Sequence, residues 1–466
     1  MMMKNTSSSR ENNTKNDFKP IDVIQPNLYE ECFPYSEVPS IKFNNVTQPI
    51  NLPDEIWITD TTFRDGQQSM SSFTVQQILS IFDYLHLIDN NTGTIRQSEF
   101  FLYTEKDREA VYKCLERGYE FPEITSWIRA NEKDFDLVKG IGIKETGMLM
   151  SCSDYHIFKK LNLTRKQAMD KYLSIAEKAL ENNIIPRCHL EDITRADFFG
   201  FVVPLVKNLN ELGKKAGIQV KIRACDTLGL GLPYPGVEMP RSVPAIIHGL
   251  QYHCGLPSEA IEWHGHNDYH NVVTNSTSAW LYGASSINTT LLGIGERTGN
   301  CPLEAMLIEY CQLKGHNDIN LKLLSKVSEY FAKEFNYVID AKRPFVGSDF
   351  NMTKAGVHAD GILKYEAIYN SFNTKLILDK PVVIKVNQSS GLAGIAAWLN
   401  SYYNIKEENK IKKRDQRVKM IKMWVDDQYN KGRTTDISND ELKQLVNKYF
   451  TTQLIDSEID EIDEVN

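Results

Sequence analysis

Between residues 55 and 315, short β-rich runs alternate with amphipathic stretches in which apolar side chains recur at helical spacing. Runs of β-branched and aromatic residues predict strands, and apolar positions three and four residues apart predict the helices between them. Eight strands alternating with helices over about 250 residues favour a (β/α)8 TIM barrel, with a doubly wound open sheet as the alternative. The predicted strands are 55–60, 94–102, 123–129, 144–150, 186–191, 219–226, 260–266 and 285–292.

Several predicted helices of this region begin with a capping signal. Thr74 directly precedes an apolar series at helical spacing, and Thr104 and Thr164 are each followed three residues later by Asp107 and Gln167. Such threonines satisfy free N–H groups of the first helical turn, and the residue three positions later can bond back. Helices are therefore expected to begin just after these three threonines.

Beyond residue 315 the alternation stops, and the pattern becomes mostly helical with a strongly charged stretch. This change predicts a C-terminal appendage of helical and mixed structure rather than a continuation of the barrel. The expected elements are helices near 320–336, 362–370, 390–404 and 438–450 and a strand pair around 376–386.

The chain is accordingly divided into a barrel and four attachments. Residues 1–20, rich in Ser, Asn and Lys, are predicted to be disordered, and the proline-rich residues 21–54 are predicted to wrap along a surface. The barrel is assigned to residues 55–315 and the C-terminal helical and mixed subdomains to residues 316–455. Residues 456–466 form an acidic tail that we interpret as a solvated end.

Composition is that of a globular protein, with 41% hydrophobic and 24% charged residues among 466. The net charge is −8, and six acids of the tail account for most of it, so no basic face for nucleic acid is expected. Eight scattered cysteines without a C-x-x-C pair favour a reducing compartment, and we expect the cytoplasm. The sequence contains no run of 18 apolar residues, so we expect neither a membrane-spanning helix nor a membrane partner.

Polar residues follow the predicted strands at the points where a barrel places its active site. Strand one is followed by Asp60–Gln68 (DTTFRDGQQ), and strand seven ends in His264 and His266. Residues two apart on a strand face the same side, so both imidazoles can reach one metal ion. With Asp65 they make a facial set of ligands with open positions, which could equally hold iron for oxygen chemistry.

Further candidates lie at the ends of other strands. Glu99 lies on strand two, Glu191 ends strand five, and Thr227 follows strand six. The glycine-rich run Gly293–Asn300 follows strand eight and does not match a dinucleotide-binding pattern, but the amide of Asn300 could reach the metal. Carboxylates around a bound cation are typical of sites that move protons.

These segments resemble a known family. DTTFRDGQQ, HGHND at 264–268 and GIGERTGN at 293–300 resemble the DRE-type TIM-barrel metallolyase superfamily, in the branch of isopropylmalate and homocitrate synthases. The likeness continues downstream through AGVHADG at 355–361 and VNQSSG at 386–391.

The resemblance implies a reaction in which a divalent metal ion, Mn, Mg, Co or Zn, chelates a 2-oxo acid. The enolate of acetyl-CoA attacks the ketone, and thioester hydrolysis releases CoA. A homodimer is typical of the family. The implied metal ligands are Asp65, His264, His266 and Asn300; the implied substrate-binding residues are Gln68, Glu99 and Thr227; and the implied catalytic residues are Arg64, Glu191, His358 and Tyr369.

Departures from the family pattern narrow the expected substrate. Strand two reads SEFFLY at 98–103 where isopropylmalate synthases show an IEAGFP-like segment. The 75 residues after VNQSSG are expected to be too few for a leucine-sensing domain. Residues 95–103, 187–195 and 233–236 look most like Re-face citrate synthases of anaerobes, whose oxo acid is oxaloacetate. Its second carboxylate calls for a cation or several donors, and the arginines near the relevant strands are Arg96, Arg129 and Arg187.

Other functions stay open on the sequence alone. Isopropylmalate, homocitrate and citramalate synthases share the expected chemistry, and a lyase like hydroxymethylglutaryl-CoA lyase would run bond chemistry of this type in reverse. That lyase group carries a cysteine inside the glycine-rich loop, whereas here Cys301 falls just after it. A biotin-dependent carboxyltransferase and a non-catalytic barrel are the remaining alternatives.

Overall fold

The computed structural model describes residues 18–450 except 316, 317, 355, 404 and 406. Its described residues fall into two compact units, one up to Asn320 and one from Leu321. Most of the predicted disordered segment 1–20 and the whole acidic tail 456–466 lie outside the described residues, and the predicted domain boundaries stay predictions. Among the described residues, no helix is long and apolar enough to cross a membrane.

Eight parallel strands close into a barrel in chain order, with β1 paired to both β2 and β8. This closure confirms the predicted (β/α)8 TIM barrel and excludes the open doubly wound sheet. The strands are β1 Trp57–Asp60, β2 Ile95–Phe101, β3 Glu123–Ile128, β4 Glu145–Ser151, β5 Ile185–Glu191, β6 Lys221–Asp226, β7 Ile261–Gly265 and β8 Ser286–Thr289.

Helices cover the outside of the barrel. At Thr74, Thr104 and Thr164 the hydroxyl accepts the N–H three residues later, and that residue's side chain bonds back, so all three capping boxes are formed. The predicted starts of these helices are therefore confirmed. The helices are α1 Val75–Asp89, α2 Glu105–Leu115, α3 Phe135–Ile141, α4 Arg165–Glu181, α5 Val203–Ala216, α6 Val243–Tyr252, α7 Val272–Leu281 and α8 Leu303–Lys314.

The last barrel strand is shorter than the predicted strand 285–292. It ends at Thr289, and a single helical turn follows at Leu291–Gly293. Leu292 there has φ 55°, which a strand does not contain. This turn leads the chain into the glycine-rich loop at the barrel rim.

The second unit packs its own apolar core, which includes Ile395, Trp398, Val418, Ile421 and Leu442. The helix expected at 362–370 lies at 356–364, and the strand pair expected around 376–386 is wrong. A helix at Gln416–Asn430 lies in the strongly charged stretch, for which no element was expected. The elements are α9 Leu323–Phe335, β9 Met352–Thr353, α10 Gly356–Lys364, α11 Thr374–Leu378, β10 Val383–Ile384, α12 Leu392–Tyr402, α13 Gln416–Asn430 and α14 Asn439–Tyr449.

The wrong strand pair has a local cause. The side chain of Asn373 accepts the N–H of Leu376 and starts helix α11 inside the predicted first strand. The remaining strand β10 pairs in parallel with β9, which lies well upstream in the sequence. Such a non-local partner leaves no hairpin signal between adjacent segments.

Candidate metal centre and active site

The ends of β1 and β7 bring together three side chains that can bind a metal ion. Asp65 lies in a helical turn, Thr62–Gly66, directly after β1, while His264 lies on β7 and His266 just follows it. The Nε2 atoms of His264 and His266 lie 3.6 and 3.7 Å from Oδ2 of Asp65. All three residues are buried, and one ligand atom from each lies within 4.8 Å of the others.

Neighbouring amides orient these ligands. Nδ1 of His264 lies 2.8 Å from Oδ1 of Asn288, which leaves its Nε2 on the side of Asp65. The side-chain amide of Asn300 donates to Oδ2 of Asp65 at 2.6 Å, and its own buried Oδ1 has no hydrogen-bond partner among the described residues. The amide nitrogen of Asn300 faces Asp65, so the predicted role of Asn300 as a metal ligand stays a prediction.

The protonation states also suit a cation. Burial lowers the pKa of His264 to about 4, so its imidazole is neutral at physiological pH, the form that coordinates metals. Burial alone would raise the pKa of Asp65, but Arg64 and the two histidines hold it well below its usual range. Burial likewise lowers the pKa of His266, and two neutral imidazoles with a carboxylate fit a divalent cation of borderline hardness.

Arg64 lies beside this cluster and is held from two directions. Its Nη1 donates to Oδ1 of Asp65 at 3.0 Å, and its Nε donates to Oε2 of Glu99 at 2.8 Å. Glu99 also lies 2.9 Å from Nη1 of Arg223, and it is 2% exposed. Burial would raise the pKa of Glu99, but Arg223 and Arg64 lower it to about 2. Glu99 is therefore a fixed anion that orients Arg64.

Below Arg64 the barrel interior continues as a network of buried ion pairs. Glu262 accepts from Arg223 and also from Nη1 of Arg187 at 2.7 Å. Arg187 also pairs with Glu145, which accepts from Lys221 at 2.6 Å. Charges so buried are stable only while each keeps its partners, so this network fixes the floor of the site.

A cavity of about 220 Å³ opens above this floor. Glu99 lies beneath it, in contact with Arg64, rather than in its lining. Asn300 contacts Asp65 and likewise does not line it. The predicted site residues that line the cavity are Arg64, Asp65, Gln68, Glu191, Thr227, His264 and His266.

Glu191 lies in a second ionic cluster at the cavity. Its carboxylate accepts from the Ser151 hydroxyl, lies 2.9 Å from Nδ1 of His156, and accepts from Lys160 at 2.9 Å. Burial would raise its pKa, but these partners, led by His156, lower it to about 2. Glu191 is consequently ionised at neutral pH.

Loops after four strands are tied together at the cavity mouth. The hydroxyl of Thr227 accepts the N–H of Asp192 at 2.8 Å. Arg297, in the glycine-rich loop, donates to the Thr227 carbonyl and binds Asp268 with its Nε 2.9 Å from Oδ1. These bonds hold the loops after β5, β6, β7 and β8 around the predicted substrate-binding threonine.

The remaining predicted catalytic residues, His358 and Tyr369, lie in the second unit. His358 is exposed on α10, and its ring centroid lies 4.5 Å from that of Tyr369. Gly361 makes this possible, because a Cβ there would come within 2.6 Å of the tyrosine ring. The two side chains form a pair, and their catalytic roles stay predictions.

The arginines considered for a second substrate carboxylate are engaged elsewhere. Arg96 stacks on Trp57 at 4.4 Å, and Arg187 is buried between Glu145 and Glu262. Arg129 lies over the ring of Tyr103 at 4.9 Å and has a 66% exposed side chain. None of these three lines the cavity.

Among the cavity residues that were not predicted from the sequence are Trp127 on β3 and His189 on β5. A signal for His189 was present, because it lies two positions before Glu191 on the same strand and so faces the same side. Trp127 lies two positions after Thr125 on β3, so the two side chains face the same side of the sheet. Both were treated as ordinary strand residues.

Comparison with known proteins agrees with this geometry. Residues 55–330, more than half of the chain, match the family described as HMGL-like, and the chain belongs to that family. It is 64% identical over 433 residues to the Citrate (Re)-synthase of Clostridium kluyveri, covering 93% of this chain and 96% of that protein. A protein of the same name from Syntrophus aciditrophicus is 48% identical over 93% of this chain and 69% of its own length.

A more distant relative has a different name. The 2-phosphinomethylmalate synthase of Streptomyces hygroscopicus is 38% identical over 436 residues, 92% of this chain and 98% of that protein. The predicted resemblance to the DRE-type barrel family is thus confirmed.

Proposed function

We propose that this protein is an acyltransferase that condenses acetyl-CoA with oxaloacetate to give citrate and CoA, with the Re-face stereochemistry of its named relatives. The observation that carries the proposal is 64% identity over nearly the full length of a Citrate (Re)-synthase. It is supported by the cavity in which Asp65, His264 and His266 face Arg64.

Asp65, His264 and His266, with Asn300 beside them, would hold the divalent cation. When bound, such an ion supplies Lewis-acid polarisation of the substrate ketone. Arg64 acts on the oxygen that becomes negative as the new carbon–carbon bond forms. Its guanidinium is already oriented by Glu99 and Asp65, so it needs little reorganisation in the transition state.

Proton movement requires further groups. The methyl group of acetyl-CoA must lose a proton, the new alkoxide must gain one, and water must then cleave the thioester. Glu191 is a carboxylate with a pKa of about 2, so at neutral pH it can accept a hydrogen bond or a proton but has none to donate. We assign the paired His358 and Tyr369 to deprotonation or hydrolysis.

The alternatives are less well supported. Isopropylmalate, homocitrate and citramalate synthases are relatives of lower identity, between 26% and 28%. A lyase with a reactive cysteine is disfavoured because Cys301 is fully buried and burial raises the pKa of its thiol to about 12.

The test is release of free thiol from acetyl-CoA with oxaloacetate, 2-oxoisovalerate, 2-oxoglutarate and pyruvate in parallel, each with and without a divalent metal. We expect CoA release with oxaloacetate and metal, and citrate as the product. Turnover with 2-oxoisovalerate but not with oxaloacetate would contradict the proposal.

The proposal also covers the cellular compartment and the oligomeric state of the enzyme. The eight cysteines are all unpaired, which supports a reducing compartment, and we propose the cytoplasm. We also propose a homodimer, in line with the family resemblance. Light scattering coupled to size-exclusion chromatography tests the dimer, and an elution mass near 53.3 kDa would contradict it.

A further inference from the structure

Three ring nitrogens of cavity-lining residues are buried without a hydrogen-bond partner among the described residues. One is Nδ1 of the metal-side residue His266, and the other two, on the facing wall, are Nε1 of Trp127 on β3 and Nε2 of His189 on β5. Both side chains line the same 220 Å³ cavity as the metal ligands, and His189 is 2% exposed. Buried polar atoms normally find partners, so these two mark a place where a ligand completes the bonding.

The chemistry of these groups limits what the ligand can be. An indole N–H only donates, so Trp127 requires an acceptor atom. Burial, together with Arg223 and Arg64, holds the pKa of His189 well below its usual range, so its ring is neutral and carries one N–H. With this proton on Nε2, the nitrogen that lies beside the Glu99 carboxylate, Nε2 is a donor. Two donors on neighbouring parts of one wall match the oxygens of a carboxylate better than a hydroxyl or an amide.

One cation lies beside this wall. The guanidinium carbon of Arg64 lies 5.8 Å from the centre of the Trp127 ring, and Arg64 lines the cavity. Glu99 lies 3.5 Å from Nε2 of His189, and the two arginines that bind Glu99 have further partners, Asp65 for Arg64 and Glu262 for Arg223. These ion pairs are balanced, so Arg64 is the cation that a ligand acceptor beside Trp127 would meet.

The space for His189 is built into the neighbouring strand. A Cβ on Gly147 of β4 would come within 2.6 Å of Nε2 of His189 and 3.0 Å of Oε1 of Glu99. A glycine at this position therefore lets the imidazole reach the barrel interior. Leu149, two positions later on β4, also lines the cavity and gives this wall an apolar part between its donors.

We propose that Trp127 and His189, beside Arg64, form the subsite that binds the second carboxylate of a dicarboxylic 2-oxo acid. The inference rests on the proposed function, which it deepens by naming the residues that select oxaloacetate over oxo acids with an apolar or missing side group. It assigns this role to uncharged donors next to a shared arginine, and not to Arg96, Arg129 or Arg187, whose partners lie elsewhere.

The test compares Trp127→Phe, which keeps the aromatic ring but removes the N–H, with His189→Leu and His189→Gln. Loss of a hydrogen bond to a charged group should raise KM for oxaloacetate about tenfold or more in Trp127→Phe and His189→Leu. The glutamine variant retains a donor and should recover part of the loss. KM for acetyl-CoA should stay within about twofold of wild type.

Pyruvate, which has the same ketone without the second carboxylate, serves as the comparison ligand and is measured as substrate and as competing inhibitor. Its affinity should be unchanged in the variants, so that discrimination between the two acids falls. Trp57→Phe, in which the ring stacked on Arg96 is replaced, is the matched control and should behave as wild type. Thermal unfolding checks that each variant is folded.

Several results would contradict the proposed subsite. A KM increase for acetyl-CoA instead of oxaloacetate would mean that the N–H groups face the thioester. A lower kcat with unchanged KM and unchanged discrimination would also overturn the subsite. If the wild-type protein does not turn over oxaloacetate, the proposed function fails. Stabilisation against heat by oxaloacetate but not by pyruvate, lost in Trp127→Phe, would then still support the subsite, and equal stabilisation by both acids would refute it.

Discussion

Two sides of one cavity differ in the kind of polar atom that they present. On the metal side, built by β1, β7 and the loop after β8, ligand atoms of Asp65, His264 and His266 lie within 4.8 Å of one another, a set that suits a cation. On the substrate side, built by β3 and β5, the ring nitrogens of Trp127 and His189 named above have no hydrogen-bond partner among the described residues and suit an acceptor. In a closed eight-stranded barrel these two sides lie across from each other.

This difference separates binding of the group that all 2-oxo acids share from selection among their different side groups. Every 2-oxo acid presents the same ketone and carboxylate to the metal side, so that side can be assembled before the ligand binds. The far end of the substrate varies, and the side that meets it is left with donors that a chosen ligand must complete. Unpaired donors give strong selection because a ligand without the matching acceptor leaves them buried and unbonded.

The largest effect is expected from the metal side. His266→Ala removes one of three clustered ligands and should lower turnover by at least about a thousandfold, since a bound ion contributes several kcal/mol to transition-state stabilisation. Metal content by mass spectrometry and CoA release are the measurements. His248→Ala, on outer helix α6, is the control and should retain metal and activity. Full activity of His266→Ala would remove the metal assignment.

Arg64 belongs to both sides, because it contacts Asp65 and lies beside Trp127. Arg64→Met should lower kcat by about a hundredfold to a thousandfold, the usual loss for one donor to a developing oxyanion. The loss should be similar for every oxo acid that is turned over, in contrast to the selective loss in Trp127→Phe. Arg96→Met is the control. A loss confined to KM for oxaloacetate would place Arg64 on the substrate side alone.

The residues of the metal side could be predicted from the sequence, whereas those of the substrate side could not. The metal side follows from short motifs, since His264 and His266 alternate on one strand and Asp65 directly follows another. The substrate side depends on which way strand residues face and on what already binds them. The sequence could offer Arg187 as a partner for a second carboxylate, but it could not show that Glu145 and Glu262 occupy that guanidinium.

The same limit applies to the fold. The barrel could be predicted because its signals are local, such as the capping threonine Thr74 and the regular alternation of strands and helices. In the second unit, β10 pairs with β9, and helices α10 and α11 lie between them in the sequence. No turn signal next to either strand indicates that the two strands pair. Non-local pairing and the ionic network of the barrel interior are properties of the folded chain, so neither could be read from segment patterns.

Both sides rest on the ionic floor, and its removal should affect stability more than selectivity. Glu262→Gln removes one of the two buried counter-charges of Arg187 and one of the two of Arg223, and it should cost about 3–5 kcal/mol. The unfolding transition of the barrel in denaturant measures the loss. Lys178→Met breaks an exposed pair with Glu181 and should cost less than about 1 kcal/mol. Equal losses of unfolding free energy in the two variants would show that the buried ionic network stabilises the barrel no more than an exposed ion pair does.

The smallest effect concerns Glu191, at the edge between the two sides. Its folded pKa of about 2 lies below its ordinary value, so its contribution to stability is present above about pH 4.5 and is lost as the pH falls toward 2. Lys160→Met should raise this pKa and destabilise the protein by less than about 1 kcal/mol, since Lys160 is half exposed. Melting temperatures from pH 3 to 7 should therefore differ most at pH 7 and converge on acidification, whereas Lys159→Met should match wild type throughout. A constant difference at all pH values would mean that Lys160 acts through packing and does not tune Glu191.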